Sequence, residues 1–497
     1  MTCAADSGHD STDIGGFRAV AEGGSVASRL RRVKIVATLG PATSTPERIR
    51  GLLQAGVDVV RLNFAHGTRD EHAHLHSIVR QEEACLGRHV AILQDLAGPK
   101  LRTGPLRDST AVELRDGEVF VLTTRNVPTQ PGMASVNYVH LPNDVRPGST
   151  ILLDDGNIEL RVLTVEGPDV RCSVVDGGLL GASKGINLPA VDIKAPTFTD
   201  KDGADLEFGL SLGMDYIALS FVRDPEDIKP ARELLRRHRA FVPLLAKVEK
   251  PQALARLDGI MRAFDGVMVA RGDLGVEIPP EDVPGWQKVI IRKANEAGKP
   301  VIIATQMLES MVNSPRPTRA EASDVANAVL DGTDAVMLSG ETSIGGYPLE
   351  AVSVMVRIIQ RAEATRERPP TPEVRRISHA RAVSRAAWTL AQNLDVHSVV
   401  VLTRSGRTAQ LVSADRPENP IVAFTYDERV ARRLALWWGL DPQVLAFPGD
   451  TEKAIVEMEK ALLERGLASH GDDIAVVGSM PVASRGVPNF VKLHHLR

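Results

Sequence analysis

Short runs of Val, Ile and Leu recur along the chain between residues 33 and 341, and longer amphipathic segments separate them. Because these runs show little polar alternation, they are typical of strands buried on both faces, as in a parallel sheet. The runs are VKIVATLG (33–40), VDVVRLNF (57–64), VAILQD (90–95), YIALSF (216–221), PLLAKVE (243–249), GVMVARGD (266–273), PVIIATQ (300–306) and DAVMLSGE (334–341).

The segments between the runs carry helix signals, such as Thr45 before Pro46 and Glu47, and glycines at the expected ends. Eight strand–helix units in one stretch predict an α/β fold of the (β/α)8 TIM-barrel type. The same alternation also permits a doubly wound open sheet, but the number of units favours the barrel. The predicted helices include 45–55, 282–297, 319–331 and 347–366.

The segment 99–194 interrupts this alternation with short pieces rich in Gly, Pro, Val and Thr. Its spacing of strands and Gly/Asp turns predicts an inserted small β-barrel domain. A domain inserted in a loop at the barrel mouth would cover the site as a lid. The predicted strands lie at 120–124, 149–156, 158–165 and 170–175.

The pattern divides the chain into four regions. Residues 1–28 form a flexible N-terminal extension, residues 29–98 and 195–368 the catalytic barrel, and residues 99–194 the lid. The Pro-rich stretch RERPPTPEVRR (366–376) is typical of a linker. A second alternation then predicts a C-terminal α/β regulatory domain over 369–497. Its predicted strands are 398–403, 421–424, 443–447, 474–478 and 490–496.

Composition narrows the class of protein. Lys and Arg number 59 against 63 Asp and Glu, so the formal charge of −4 argues against a dedicated nucleic-acid partner. The three cysteines lie outside any CxxC pattern, which argues against disulfides and a structural zinc site and fits a reducing compartment. We find neither a long apolar span nor a signal-peptide pattern, and we therefore expect a cytoplasmic protein without a membrane partner.

Charged and polar residues gather where the predicted barrel strands end. Catalytic groups of such barrels lie at these carboxyl ends, although structural salt bridges that cap the barrel are the alternative. Lys247 and Glu249 are two residues apart and share one face of a strand. The strand-end set comprises Arg61, Asn63, Asp95, Lys247, Glu249, Arg271, Asp273, Thr305, Gln306, Ser339 and Glu341.

Glu249 and Asp273 follow neighbouring strands, so the two carboxylates could converge. Carboxylates without His or Cys suit Mg2+ or Mn2+ holding phosphate oxygens, and Lys247 could neutralise a transferring phosphoryl group. Gly272 lies in RGDLGVEIP, where the amides of a short helical turn could bind an anion; a simple β-turn is the alternative. NFAHG (63–67) suggests anion binding by Arg61.

Several long segments together resemble the signature segments of pyruvate kinase, from about residue 31 to the C-terminus. The resemblance implies a barrel with an inserted β lid and a C-terminal regulatory domain. It also implies phosphoryl transfer from phosphoenolpyruvate to ADP, giving pyruvate and ATP. The matching segments are VVRLNFAHGT (59–68), LQDLAGPKLRTG (93–104), AKVEK (246–250), VMVARGDLGVEIP (267–279), IIATQMLESM (302–311) and PTRAEASDVANAVLDGTDAVMLSGET (317–342).

The resemblance also implies roles for individual residues. Arg61 binds the substrate phosphate, Lys247 stabilises the transferring phosphoryl group, and Thr305 lies near the carbon that is protonated. Glu249 and Asp273 hold the divalent cation, and the Gly272 and Asp273 amides bind the substrate carboxylate. The implied nucleotide contacts are Asn63, His66, Arg102 and, in the lid, Lys184.

One departure from the family pattern concerns potassium. The potassium-dependent branch has Glu after Gly-Pro, Thr after the Asp and Ser before His-Gly, whereas this chain has Lys100, Leu96 and Ala65. Two positions thus lose an oxygen-bearing side chain. The Lys100 ammonium could supply the charge that K+ supplies elsewhere and would repel a nearby K+. We therefore expect activity that does not require K+.

The C-terminal domain contains LTRSGRTAQ (402–410), where the resemblance locates the family's effector-phosphate loop. Ser405, Gly406, Arg407 and Thr408 could form an anion site at a helix N-terminus, and a capped helix with a solvated Arg is the alternative. The segment 476–490 lacks the Trp- and Gly-rich loop associated with fructose 1,6-bisphosphate. A sugar monophosphate or AMP is therefore the better candidate effector. The resemblance implies a homotetramer.

Two other functions compete with an active pyruvate kinase. A phosphoenolpyruvate- or pyruvate-binding lyase of the aldolase type would not need the lid and its nucleotide positions, Arg102 and Lys184. A catalytically weak paralogue that acts as a metabolite-binding regulator would not need the intact set that this chain has, namely Arg61, Lys247, Glu249, Asp273 and Thr305.

Overall fold

The structure is a computed structural model that describes residues 31–189, 191, 193–365, 378–446, 450–479 and 487–497. The N-terminal extension (1–28) and the linker (366–376) lie outside the described residues. None of the helices in these ranges is long and apolar enough to cross a membrane.

The chain enters the barrel with three buried parallel strands and two helices. The first turn of each helix is capped by a threonine, Thr45 or Thr68, whose hydroxyl accepts a backbone N–H. These elements are β1 (Lys34–Thr38), α1 (Pro46–Ala55), β2 (Val59–Asn63), α2 (Arg69–Leu86) and β3 (Ala91–Asp95).

The lid follows β3 as a separate all-β domain with its own apolar core, including Phe120, Leu160 and Cys172. Six of its strands form one sheet, in the order β11-β7-β8-β9-β5-β6, and β10 pairs with β4. Its elements are β4 (Val112–Leu114), β5 (Val119–Thr123), β6 (Met133–Ser135), α3 (Leu141–Asp144), β7 (Thr150–Leu153), β8 (Ile158–Glu166), β9 (Asp169–Asp176), β10 (Gly178–Leu180) and β11 (Ile186–Asn187).

The chain then returns to complete the barrel. Its eight strands close in the order β1-β16-β15-β14-β13-β12-β3-β2, which confirms the barrel over the open sheet. The second part comprises α4 (Asp200–Leu212), β12 (Tyr216–Leu219), α5 (Lys229–Arg237), β13 (Leu244–Val248), α6 (Pro251–Ala255), α7 (Leu257–Ala263), β14 (Gly266–Ala270), α8 (Arg271–Glu277), α9 (Val283–Ala297), β15 (Val301–Ala304), α10 (Arg319–Leu330), β16 (Ala335–Leu338), α11 (Gly340–Ser343) and α12 (Pro348–Ala364).

Four aspartates form the floor of the barrel, at the amino ends of every second strand. Each directly precedes its strand and accepts a backbone N–H from the neighbouring strand. Each also pairs with an arginine. The pairs are Asp58–Arg31 at 2.7 Å, Asp215–Arg80 at 2.5 Å, Asp265–Arg232 at 2.7 Å and Asp334–Arg416 at 2.9 Å.

The C-terminal domain is a five-stranded sheet in the order β19-β18-β17-β20-β21, and only the last pair of these strands is antiparallel. We predicted its third strand at 443–447, but β19 begins earlier, at Leu440. Pro442 is tolerated there because β19 lies at the sheet edge. The elements are α13 (His379–Leu394), β17 (Ser398–Leu402), α14 (Arg407–Ala414), β18 (Ile421–Thr425), α15 (Glu428–Leu434), β19 (Leu440–Val444), α16 (Thr451–Glu464), β20 (Asp473–Gly478) and β21 (Phe490–His495).

Polar contacts join the floor of the barrel to the C-terminal domain. Lys34 donates to the carbonyl of Leu440 at 2.8 Å, and Arg416 reaches Asp334 from the C-terminal domain. Arg432 on α15 pairs with Glu83 on α2 at 2.9 Å. These contacts are largely buried, so they fix the domain against the end of the barrel that lies opposite the strand carboxyl ends.

Barrel residues also form hydrogen bonds with both segments that connect the barrel to the lid. On the outgoing side, Asp202 accepts the N–H of Gly98 at 3.0 Å. On the returning side, Arg223 donates to the carbonyls of Ile193 and Ala195, the latter at 2.6 Å, and to the Thr197 hydroxyl at 3.0 Å. The lid is therefore anchored at two places beside the barrel mouth.

Candidate active site

Arg61 and Asp95 form a buried ion pair between the carboxyl ends of β2 and β3. Arg61 donates from Nε to Asp95 Oδ2 at 2.7 Å and from Nη1 to Thr38 Oγ1 at 3.0 Å. Burial opposes ionisation of Asp95, but the cations of Lys247 and Arg61 outweigh it and hold the pKa of this carboxyl below its ordinary value. The guanidinium is thereby fixed at the mouth while its side chain stays 10% exposed.

Lys247 lies at the centre of the mouth, on β13. Its ammonium donates to Ser220 Oγ at 2.8 Å and lies 3.5 Å from Asp95 Oδ1 and 3.6 Å from Glu249 Oε2. Burial works against the charge, yet Asp95, Glu249 and Asp273 raise the pKa of Lys247 above its ordinary value. Lys247 is therefore a permanent cation, held by several neighbours at moderate distances.

Glu249 has one satisfied and one unsatisfied oxygen. Its Oε1 accepts the backbone N–H of Phe221, whereas Oε2 is buried and has no hydrogen-bond partner among the described residues. Burial, with the charges of Asp273 and Asp95, raises the pKa of Glu249 to about 7 against the opposing effect of Lys247. A buried carboxylate oxygen without a donor is costly, so this position suits a cation.

The donor set fits a hard divalent ion. Asp273 lies close enough to affect the pKa of Glu249, so the two carboxylates face one region. The described residues contain no cluster of three or more His, Cys, Asp or Glu side chains that could hold a metal alone. Mg2+ is commonly bound by one or two carboxylates together with substrate phosphates and water, which agrees with this arrangement.

Gly272, Asp273 and Thr305 meet where α8 follows β14. The segment after β14 is a short helix and not a β-turn. The Gly272 N–H donates to Thr305 Oγ1 at 2.7 Å, and this hydroxyl donates to the Ala304 carbonyl at 2.6 Å. Thr305 has a φ of 67°, which is strained for a β-branched residue. The strained turn brings the Thr305 hydroxyl beside the first turn of α8.

The residues implied in nucleotide binding come from both domains. Asn63 accepts the Ala65 N–H, and Arg102 donates to the Ser183 carbonyl within the lid at 3.0 Å. Lys184 pairs with Asp154 of the lid at 2.8 Å. Burial, followed by the charges of Lys100, Arg102 and Arg61, lowers the pKa of His66, so these cations surround that ring. The mouth thus combines an anion-attracting set from barrel and lid.

The three positions that depart from the potassium-dependent pattern lie in different surroundings. Lys100 is exposed and lines a cleft between barrel and lid, together with Asp155, Phe221 and Asp273. Leu96 is only 2% exposed and belongs to the barrel core. Ala65 follows β2 beside His66. Lys100 therefore lies at the cleft, whereas Leu96 is packed in the barrel core and offers no side-chain oxygen.

The candidate effector residues form a separate group in the C-terminal domain. Gly406 has a φ of 87° and precedes α14, which begins at Arg407. The Gly406 N–H donates to Thr403 Oγ1, and Thr408 is buried. Ser405 lies in the same loop. Ser405 and Gly406 in this loop and Arg407 and Thr408 in the first turn of α14 thus lie together, in a different domain from the barrel mouth.

Some of the strand-end residues have structural roles. Arg271 pairs with Asp324 at 2.7 Å and donates to the Thr305 carbonyl, which holds the strained turn. Glu341 accepts the N–H groups of Leu308 and Ser339. For these members, the alternative of capping interactions fits better than a catalytic role.

Sequence reasoning missed two residues of the mouth, Ser220 and Phe221. Ser220 holds Lys247, and Phe221 presents its N–H to Glu249 with a φ of 56°, rare for a bulky residue. Both end the run YIALSF, and the only available signal was a polar residue at the end of an apolar strand.

The fold and the mouth define a class of protein. A closed parallel barrel with cations and carboxylates at its strand carboxyl ends, covered by an inserted β domain, is an enzyme fold equipped to bind phosphorylated anions. Models of two pyruvate kinase domains match this chain: the barrel domain over residues 30–352 and the alpha/beta domain over residues 381–494.

Known proteins extend this match over most of the chain. A pyruvate kinase of Mycobacterium tuberculosis is 44% identical over 467 residues, covering 94% of this chain and 98% of the relative. "Pyruvate kinase 2" of Synechocystis is 44% identical over 93% of this chain and 79% of its own length. The crystal structure of a pyruvate kinase from Cryptosporidium parvum superposes with a TM-score of 0.88 at 34% identity, covering 95% and 98% of the two chains. The chain belongs to the pyruvate kinase family and is a phosphotransferase.

Proposed function

We propose that this protein transfers the phosphoryl group of phosphoenolpyruvate to ADP at the barrel mouth, giving pyruvate and ATP in glycolysis. The observation that supports the site most directly is the buried Glu249 oxygen without a donor, 3.6 Å from the Lys247 ammonium. A cation beside Glu249 and a phosphoryl group beside Lys247 would satisfy both groups. Proteins of this kind need no nucleophile of their own, because ADP attacks the phosphoryl group directly.

Each residue of the mouth then has a role that follows from its chemistry. Arg61 and Lys247 bind the substrate phosphate and offset its negative charge as the phosphoryl group is transferred. Glu249 and Asp273 would hold Mg2+ or Mn2+, which would neutralise phosphate oxygens. The amides of Gly272 and Asp273 bind the substrate carboxylate, which would displace the Thr305 hydroxyl from the Gly272 N–H.

Thr305 has the position for the last proton transfer. Its hydroxyl already contacts the first turn of α8, where the substrate carboxylate would bind. A threonine hydroxyl is a weak acid, so it would relay a proton from water to the enolate carbon rather than supply one by itself.

The nucleotide would bind between barrel and lid. Asn63 and His66 contribute from the barrel, and Arg102 and Lys184 from the lid. The low pKa of His66 keeps its ring neutral, so it would serve as a polar contact beside the cations. Closure of the lid would bring the two sets together around the phosphates.

We also propose that the enzyme does not require K+. Lys100 brings a fixed positive charge to the cleft, and Leu96 and Ala65 lack side-chain oxygens that could ligate K+. The loop Ser405–Thr408 is proposed to bind a phosphorylated effector, a sugar monophosphate or AMP, in a homotetramer. The support here is the helix start after Gly406 together with the family membership.

One coupled assay tests the proposed reaction. We expect pyruvate from phosphoenolpyruvate only when ADP and Mg2+ are both present, at similar rates in potassium-free tetramethylammonium buffer and in K+ buffer. Absence of ADP-dependent turnover across a panel of phosphorylated effectors would contradict the enzyme assignment. Strong activation by K+ would contradict only the role of Lys100.

A further inference from the structure

A polar cluster joins the lid to the barrel beside the proposed metal site. Asn187 lies on β11, the last strand of the lid, and its side-chain amide donates to Glu277 Oε1 at 2.8 Å. Glu277 ends α8, the helix that begins with Arg271, Gly272 and Asp273. The contact therefore connects the lid directly to the element that would bind the substrate carboxylate.

Glu277 is also held from the barrel side. Lys250, the residue after Glu249, donates to the same Oε1 atom at 2.6 Å. The side chains of Glu277 and Lys250 are only 2% and 8% exposed, so this is a buried ion pair. Asn187 of the lid donates to the same carboxylate oxygen as Lys250. Buried charge pairs of this kind demand good geometry and lose much when one partner is altered.

The cluster continues toward Glu249. The Lys250 ammonium lies 5.6 Å from the centre of the Phe221 ring, a cation–π distance, and Phe221 donates its N–H to Glu249. Glu277 Oε1 thus accepts hydrogen bonds from Asn187 of the lid and from Lys250, the residue that follows Glu249.

We propose that Glu277 is a positioning residue that latches the lid onto the barrel through Asn187, so that the lid-borne nucleotide contacts are held over the mouth. Phosphoenolpyruvate would bind to barrel residues, whereas ADP needs Arg102 and Lys184 of the lid. Loss of the latch therefore weakens use of ADP selectively. This inference rests on the proposed function.

The experiment uses steady-state kinetics of the full chain with Mg2+. We expect Asn187→Ala to lower kcat/KM for ADP about tenfold, the usual effect of losing a hydrogen bond to a charged group, with the KM for phosphoenolpyruvate unchanged. Asn187→Asp should lower kcat/KM for ADP further, because it places a second carboxylate against that of Glu277. A merely destabilised protein would instead lower kcat while the KM values of ADP and phosphoenolpyruvate stayed unchanged, and would melt at a lower temperature.

A charge swap provides the decisive variant. Asn187→Asp combined with Glu277→Gln keeps one carboxylate, one amide and Lys250, so we expect kcat/KM for ADP to recover above that of either single variant. Asn143→Ala, on the exposed surface of the lid, is the matched control and should behave as wild type. Equal behaviour of Asn187→Asp and the control, or no recovery in the double variant, would overturn the latch. Absence of wild-type turnover would instead overturn the proposed function.

Discussion

At the floor of the barrel, each of four aspartates receives a backbone N–H and an arginine, whereas at the mouth a carboxylate of the same kind is left half satisfied. Asp334, for example, accepts the Val301 N–H at 3.0 Å and pairs with Arg416. Glu249 receives one N–H, and its second oxygen has no donor among the described residues. Both carboxyls are buried, so the difference lies in pairing and not in exposure.

On the function proposed above, this difference separates stability from function within one barrel. The aspartates at the floor, each with a backbone N–H and an arginine, connect strands to one another and the barrel to the C-terminal domain, and a ligand could add little to them. Incompletely paired charges at the mouth cost stability until a ligand of the opposite sign arrives. The same side-chain types therefore serve opposite purposes, according to how many partners the fold supplies.

The largest expected effect comes from replacing a lysine at the barrel mouth and comparing the result with replacement of a lysine at the floor. Lys247→Met should lower kcat about 1000-fold, because the charge on the transferring phosphoryl group loses its nearest cation. Lys34→Met removes a buried lysine whose ammonium donates to the Leu440 carbonyl at the opposite end of the barrel, and should retain wild-type kcat. Turnover close to wild type in Lys247→Met would refute the role given to that residue.

The second comparison concerns carboxylates. Asp334→Asn leaves Arg416 buried without its counter-charge and should lower the free energy of unfolding by about 3 kcal/mol while the folded enzyme keeps its kcat. Glu249→Gln should do the reverse: kcat falls about 100-fold and the Mg2+ requirement rises, while the melting temperature does not fall. Thermal unfolding measures the stability of both variants, and Mg2+ titration of the activity measures their metal requirement. A lower melting temperature for Glu249→Gln would contradict the predicted difference between the two carboxylates.

The smallest expected effect tests the floor through pH. Burial opposes the charge of Glu83, but His89, Arg80 and Arg432 outweigh it and lower its pKa to about 2. Because this folded-state pKa is depressed, the stabilisation is complete above pH 4.5, the ordinary value, and declines as the pH falls toward 2. Glu83→Gln should cost about 2 kcal/mol at pH 7.

The difference in melting temperature between Glu83→Gln and wild type should therefore shrink as the pH falls below about 4.5. A gap that widened under acid conditions would show that Glu83 is not held ionised by its arginines.

Much of the fold was predictable because burial leaves a strong sequence pattern. The eight apolar runs correspond to the eight barrel strands, and the change of texture after residue 98 marks the lid. β19 was misplaced by a few residues because Pro442 disguised an edge strand. The strand-end residues were also predictable, since polar residues rarely end a fully buried strand without a reason.

Which of those residues have structural partners and which belong to the proposed site was not predictable. Arg271 and Glu341 resemble Arg61 and Glu249 in the sequence, since all four follow a buried apolar run. In the structure, however, Arg271 pairs with Asp324, and Glu341 accepts backbone N–H groups. Pairing depends on side-chain directions that only the packed barrel determines. The φ of 56° at Phe221, which directs an N–H to Glu249, leaves no sequence signal at all.

The two anchored connections of the lid have a mechanical consequence. Asp202 holds the outgoing chain at Gly98, and Arg223 holds the returning chain at Ile193, Ala195 and Thr197. A rigid body fixed at two points to another can turn only about the line that joins them. We therefore expect opening and closing of the lid to have one degree of freedom, so that a single distance across the cleft, measured by a pair of spectroscopic labels, describes the motion.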